Sequence, residues 1–185
     1  MHIVLIGYRG SGKSAVGKRL AERLRMPFYD TDDLVEKRAG RSIQAIVEER
    51  GWPYFRRIEH DVIREFTVLQ DGVIATGGGA VLDEGNCRIL KTHGSVIWLT
   101  ADVPTIIHRM NEDVTGREQR PSLSHGDSIR EAEELLEQRI PIYRRLADTC
   151  IDTMGKKIDE IAREVAEFLE EMRLSKREAT CREIP

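Results

Sequence analysis

The stretch "HIVLIGYRGSGKS", residues 2 to 14, constrains this chain more than any other. Residues 2–6 form a short apolar run with β-branched members, the composition of a parallel strand buried on both faces. Gly7, Gly12, Lys13 and Ser14 then match the spacing G-x-x-x-x-G-K-[ST], and "KSAVGKRLAERLRM" places Val16, Leu20 and Leu24 at helical intervals before Pro27. Strand, glycine-rich turn and helix in that order make a cradle for phosphate. Glycines let backbone N–H groups converge on phosphate oxygens, and the helix N-terminus adds partial positive charge. Lys13 offsets the outer phosphates, and the Ser14 hydroxyl suits Mg²⁺. Gly10, Ser11, Gly12, Lys13, Ser14 and Ala15 are therefore the expected contacts of a nucleoside triphosphate.

The rest of the chain repeats the alternation. At 185 residues it has room for one domain with a full core. "PFYDTDD" is a short apolar segment ending in carboxylates, and "LVEKRAG" a helix stopped by Gly40. "SIQAIVEERG" and "WPYFRRIEHDVIREFTVL" read as two helices, opened by Ser42 and Pro53, with Ile58, Val62, Ile63, Phe66 and Leu69 apolar in the second. "GVIATGGGAV" is a buried strand breaking into glycines, "DEGNCRILKTHG" a helix, "SVIWLT" a strand and "VPTIIHRM" a helix. Residues 111–127 are polar and aperiodic, which predicts one long loop. "SIREAEELLEQRIPIYRRLA" returns to helix and "TCIDT" to strand. An amphipathic helix follows on Ile158, Ile161, Val165, Phe168, Leu169 and Met172, then a polar tail over 173–185 expected to fray. The expectation is an α/β fold with a parallel sheet flanked by helices on both faces.

Composition excludes several function classes. A formal charge of −3 gives no bulk attraction to nucleic acid or an acidic membrane, so anion binding must be local. Cys87, Cys150 and Cys181 are odd in number and widely spaced, and the five histidines lack ligand spacing, so neither a disulfide framework nor a zinc centre is expected. No run approaches the roughly 18 apolar residues of a membrane span, and the first apolar run is short for a signal peptide. A cytoplasmic protein, monomeric and without nucleic-acid or membrane partners, is expected.

The acceptor of the phosphate must be read elsewhere. The N-K-x-D signature of guanine recognition is missing, and the strand "GVIAT" ends in Thr76 rather than a carboxylate. Asp30 and Asp32 in "FYDTD" are the best substitutes, because strand ends in a parallel sheet open onto the ligand crevice; the plainer alternative is that they favour the dipole of the next helix. Arg56, Arg57 and Arg139 lie in helices, where arginines are ordinarily solvated, yet paired guanidinium groups are what bidentate capture of a carboxylate requires. "TGGGA", residues 76–80, offers backbone that a ligand can approach closely, and it serves equally as a tight turn. Arg117 and Arg120 in the long loop are either solvated or part of a lid that excludes water.

Taken together, "GYRGSGKS", "FYDTD", "FRRIE", "TGGGA", "RPSL" and "RIPIYRRLAD" resemble the shikimate kinase family in order and spacing, over residues 1 to about 172. The resemblance implies a three-layer P-loop NTPase fold with a five-stranded parallel sheet, a substrate-binding helical segment at about 32–60 and a lid at about 111–125. It implies transfer of a phosphoryl group from ATP to the 3-hydroxyl of shikimate, with Mg²⁺ held by Ser14 and, through water, by Asp30. Lys13 and Arg120 act on the phosphates, Asp32 on the acceptor hydroxyl, and Arg56 and Arg139 on the carboxylate, with Gly77, Gly78 and Gly79 lining the pocket. Glu59 orients Arg56, and Arg109 flanks adenine. The lid reads "RPSL" where the family usually has "RPLL". The alternative is a gluconate kinase-like enzyme, which shares loop and size.

Overall fold

The computed structural model describes residues 1–112 and 128–182. Five parallel strands stand in the order β2-β3-β1-β4-β5: β1 (His2–Ile6), β2 (Phe28–Asp30), β3 (Val73–Ala75), β4 (Gly94–Thr100) and β5 (Thr149–Asp152). β1 lies in the middle, with Val4 opposite Ile74 on one side and Val96 on the other. Its five residues are all buried, as a strand covered on both faces must be.

Alternate residues of β1 feed two cores. Ile3 and Leu5 pack with Val16 and Leu20 of α1 (Lys13–Leu24) and with Ile161 and Val165 of α7 (Ile158–Arg182). Val4 and Ile6 pack with Ile63 and Phe66 at the end of α3 (Ile43–Glu65), with Leu90 of α4 (Glu84–His93) and with Tyr143 of α6 (Ser128–Leu146). The period-two alternation of a strand thus sorts the helices onto two faces. α5 (Val103–Glu112) packs beside α6 through Ile106 and Ala132, with Tyr8 between them.

α2 (Thr31–Ala39) ends at Gly40 in the left-handed region, and the Ser42 hydroxyl caps α3 by accepting from the Ala45 N–H. The two helices expected over 42–66 appear as one hydrogen-bonded element broken at Gly51, whose φ of 76° and ψ of 168° are not helical. The part of α3 before the break packs on α2 through Val35, Ile43 and Ile46, forming a small core with Phe55 and Val62.

Four expectations need correction. Leu24 is 36% exposed, because the chain turns through a left-handed Arg25 and Met26 packs on that core in its place. Leu69 is 38% exposed, since α3 stops at Glu65 and the following residues form turns. Ile158 is exposed as the first residue of its helix, and Ile161, Ala162 and Val165 carry the buried face. The final helix runs on to Arg182 instead of fraying after Met172, because Lys, Arg, Glu and Ala are good helix formers and neither glycine nor proline interrupts them. α6 also continues through Pro141.

Candidate active site

The phosphate loop leaves the central strand and returns into α1. Gly12, with φ 92° and ψ 9°, is the N-cap of that helix, a left-handed conformation in which a side chain is strained. Its backbone shape aims the first N–H groups of α1 outward, where an anion is favoured. Lys13 is buried, and its ammonium donates to the Tyr8 carbonyl at 2.8 Å across the loop. The Ser11 hydroxyl is buried and has no hydrogen-bond partner, whereas Ser14 and Ala15 are exposed at the helix start.

Asp30 joins this loop to the next element. One carboxylate oxygen accepts from the Ser14 hydroxyl at 2.6 Å; the other accepts from the Asp32 N–H at 3.0 Å and so caps α2. Asp30 therefore caps the next helix and at the same time faces the phosphate loop. Asp32 is buried in the first turn of α2, and burial pushes the neighbouring Asp33 carboxyl up, with the Asp30 charge adding to it. Ser14 and Asp30 present hard oxygen donors side by side, the chemistry Mg²⁺ selects; among the described residues no cluster of three His, Cys, Asp or Glu side chains could hold a metal by itself.

The turn after β3 is the hub of the second half. The Gly77 N–H donates to the Thr31 hydroxyl at 2.7 Å, and a side chain on Gly77 would meet a carboxylate oxygen of Asp32 at 2.7 Å. The Gly78 carbonyl accepts from Arg139 at 3.3 Å and from the Tyr143 hydroxyl at 2.6 Å. A Cβ on Gly79 would run into the Arg56 guanidinium, so a side chain there would push that arginine aside.

Arg56 is held from three directions. It donates to Glu59 at 2.5 Å, and its guanidinium lies over the rings of Phe55 and Trp52 at 4.9 and 5.6 Å. Its side chain is 32% exposed while that of Glu59 is 1% exposed, so the pair faces the cleft through its cation. Burial pushes the Glu59 carboxyl up, with the Arg56 guanidinium opposing, and its second oxygen has no hydrogen-bond partner. Arg57, by contrast, is exposed and lies against Tyr54, away from this arrangement.

Arg139 stacks over the Tyr8 ring at 5.3 Å, which brings it beside the phosphate loop. Arg109 donates to the Thr153 carbonyl at 2.8 Å and hydroxyl at 2.9 Å, and reaches the Gly10 carbonyl at 3.4 Å. It thereby ties α5 and the turn after β5 to the phosphate loop. Arg117 and Arg120 lie outside the described residues, as does the expected lid from 113 onward.

A donor loop, two carboxylates, two arginines and a three-glycine turn thus meet at the carboxyl ends of the strands. The shikimate kinase family model matches residues 9–170. The chain belongs to the shikimate kinase family. A shikimate kinase of Syntrophus aciditrophicus is 46% identical over 182 residues, covering 94% of this chain and 93% of its own. One of Symbiobacterium thermophilum is 42% identical, covering 92% of this chain and 97% of its own. The shikimate kinase of Acinetobacter baumannii, solved in complex with shikimate, superimposes with a TM-score of 0.87 at 33% identity and 94% coverage of both chains. A gluconokinase of Sinorhizobium meliloti matches at a TM-score of 0.55 and 19% identity, a likeness of fold alone.

The hydrogen bonds behind the glycine turn involve side chains that composition and motif spacing miss. Tyr143 is one. Asn86 is another: it is buried, donates to the Ala80 carbonyl at 3.0 Å and accepts from His60 at 2.7 Å, and so buttresses the glycine turn from behind. Both act on backbone carbonyls, and no residue-type pattern in a sequence marks such a partner.

Proposed function

We propose that this cleft transfers the γ-phosphoryl group of ATP to the 3-hydroxyl of shikimate, giving ADP and shikimate 3-phosphate. The observation that carries the reading is the convergence of the phosphate loop, Asp32, Arg56 and Arg139 on the single turn Gly77–Gly79. The gluconate kinase alternative rests on a fold likeness only.

Phosphoryl transfer leaves little covalent work to a protein, so the roles are those of position and charge. Lys13, with the N–H groups from Gly10 to Ala15, binds the β- and γ-phosphates. Ser14 and, through water, Asp30 would hold Mg²⁺, which neutralises charge on the phosphate oxygens. Arg56 and Arg139 take the shikimate carboxylate, Glu59 fixing the first of them. Asp32 receives the hydroxyl proton, which leaves late in the transfer and so asks for no unusual basicity. Arg120 is assigned to the transferring phosphoryl group and Arg109 to the adenine end of the nucleotide. In this reading residues 1–172 are one domain, with the substrate segment at 32–60 and the lid at 111–125. A cytoplasmic monomer is the proposed setting; no helix among the described residues is long and apolar enough to cross a membrane.

The deciding experiment measures ADP release by the purified protein with Mg·ATP and either shikimate or gluconate. Release dependent on shikimate alone is expected. Release with gluconate alone would reverse the assignment.

A further inference from the structure

We propose that Tyr143 is a positioning residue for the acceptor substrate: its hydroxyl holds the Gly78 carbonyl, so that Arg139, which shares that acceptor, is left to bind the substrate carboxylate. A peptide carbonyl has two lone pairs, and here the Tyr143 hydroxyl takes one at 2.6 Å while Arg139 approaches the other at 3.3 Å. The first is a short bond and the second a long one, so the phenol satisfies most of the carbonyl's demand. Arg139, which also hydrogen-bonds the phenol itself, keeps its other N–H groups for another acceptor, at the mouth of the cleft where a carboxylate is to be captured.

The phenol is built to keep that bond. Tyr143 is 0% exposed, and its ring is stacked on Trp98 with centroids 5.7 Å apart and planes 28° from parallel. Burial pushes its hydroxyl up to about 12, so the group stays a donor at any pH at which the protein works. Arg139 and Tyr143 lie one turn apart on the same face of α6, which explains how both reach one oxygen. The peptide they hold is itself wedged: a Cβ on Gly78 would meet the Arg9 backbone nitrogen at 3.1 Å. Tyr143 therefore fixes the strip of backbone where donor loop and acceptor pocket touch.

Removing the hydroxyl changes the accounting. The buried carbonyl then has Arg139 as its side-chain donor, and an unmet buried acceptor is costly. The guanidinium is drawn inward, away from the substrate, although neither the cation nor the fold is lost.

The inference rests on the reading of Arg139 as a carboxylate clamp, and the experiment separates the two. Steady-state kinetics with Mg·ATP and shikimate are compared for the parent, Tyr143→Phe, Arg139→Ala and the double variant, with a thermal melt of each. Tyr143→Phe is expected to raise the shikimate KM about tenfold, the size of one net hydrogen bond, with kcat and the ATP KM little changed. On the Arg139→Ala background the same substitution should add less than about twofold, because its route is gone. An unchanged shikimate KM in Tyr143→Phe overturns the proposal, and so does an equal effect on both backgrounds, the mark of a purely structural role. If Arg139→Ala alone leaves the shikimate KM unaltered, the clamp reading fails and the proposal falls with it. A Tyr143→Phe protein that fails to fold in the thermal melt also overturns the proposal, because the hydroxyl is then a structural group.

Discussion

In the proposed reading, the donor and acceptor halves of this site touch at Gly78, yet they are made in opposite ways. The donor half is eight consecutive residues, Gly7 to Ser14, whose function follows from backbone shape and one helix end. The acceptor half draws Asp32 from α2, Arg56 and Glu59 from α3, three glycines from the turn after β3 and Arg139 from α6. Nothing local fixes it; the parallel sheet does, by ending β2, β3 and β1 at one edge. A contiguous site is rigid because its own turn is, whereas a dispersed one is only as well placed as the contacts behind each residue.

That difference sets an order of effects. Lys13→Ala should give the largest, a fall in kcat of about 10²–10³-fold, since it removes a charge aimed at the transition state. Rapid-quench or coupled ADP assays measure it, and a near-normal kcat would break the donor assignment. Arg139→Ala should come next, raising the shikimate KM on the order of a hundredfold while the ATP KM holds, given about 1.5–3 kcal/mol for a charged hydrogen bond. Equal shifts in both constants would mean that the two halves are not separable. Gly79→Ala is a subtler disturbance, because a methyl group there displaces the Arg56 guanidinium. A rise in shikimate KM of about tenfold is expected from misplacement alone, with Lys13 untouched.

The smallest effect concerns stability. Burial holds the Glu59 carboxyl above its ordinary 4.5. The native state then binds that proton more tightly than the unfolded chain, so the contribution of Glu59 is present below about pH 4.5 and is lost as pH rises through the higher native value. Glu59→Gln cannot titrate. Denaturant midpoints between about pH 4 and 7 should therefore decline less for the variant than for the parent. Parallel declines would show that Arg56 compensates the burial in full.

The same contrast explains what the chain declared in advance. Strand, loop and first helix were legible because glycine spacing, apolar run and helical period coincide within a few residues. Asp30, Asp32, Arg56 and Arg139 could be named from motif resemblance, but the meeting of the last three on one turn is a property of strand order. Arg56 and Arg57 look alike in sequence; what separates them is that one faces Glu59 and Gly79 and the other Tyr54. Tyr143 and Asn86 left no trace, since their partners are the carbonyls of Gly78 and Ala80, which every residue type possesses. Leu24, Leu69 and Ile158 kept helical period while lying at helix ends or beyond them, where period no longer implies burial.

The break at Gly51 has a last consequence. Residues before it belong to a small core shared with α2, and so do Phe55 and Val62 after it, while Ile63 and Phe66 at the far end belong to the core under the sheet. One run of chain is thus divided between two allegiances, with Arg56 beside Phe55 in the part held by the small core. The flap formed by α2 and the start of α3 is in that sense not a separable part: redrawing its apolar seam at Val35, Ile43 or Ile46 also moves Phe55, and with it the arginine that lies on that ring.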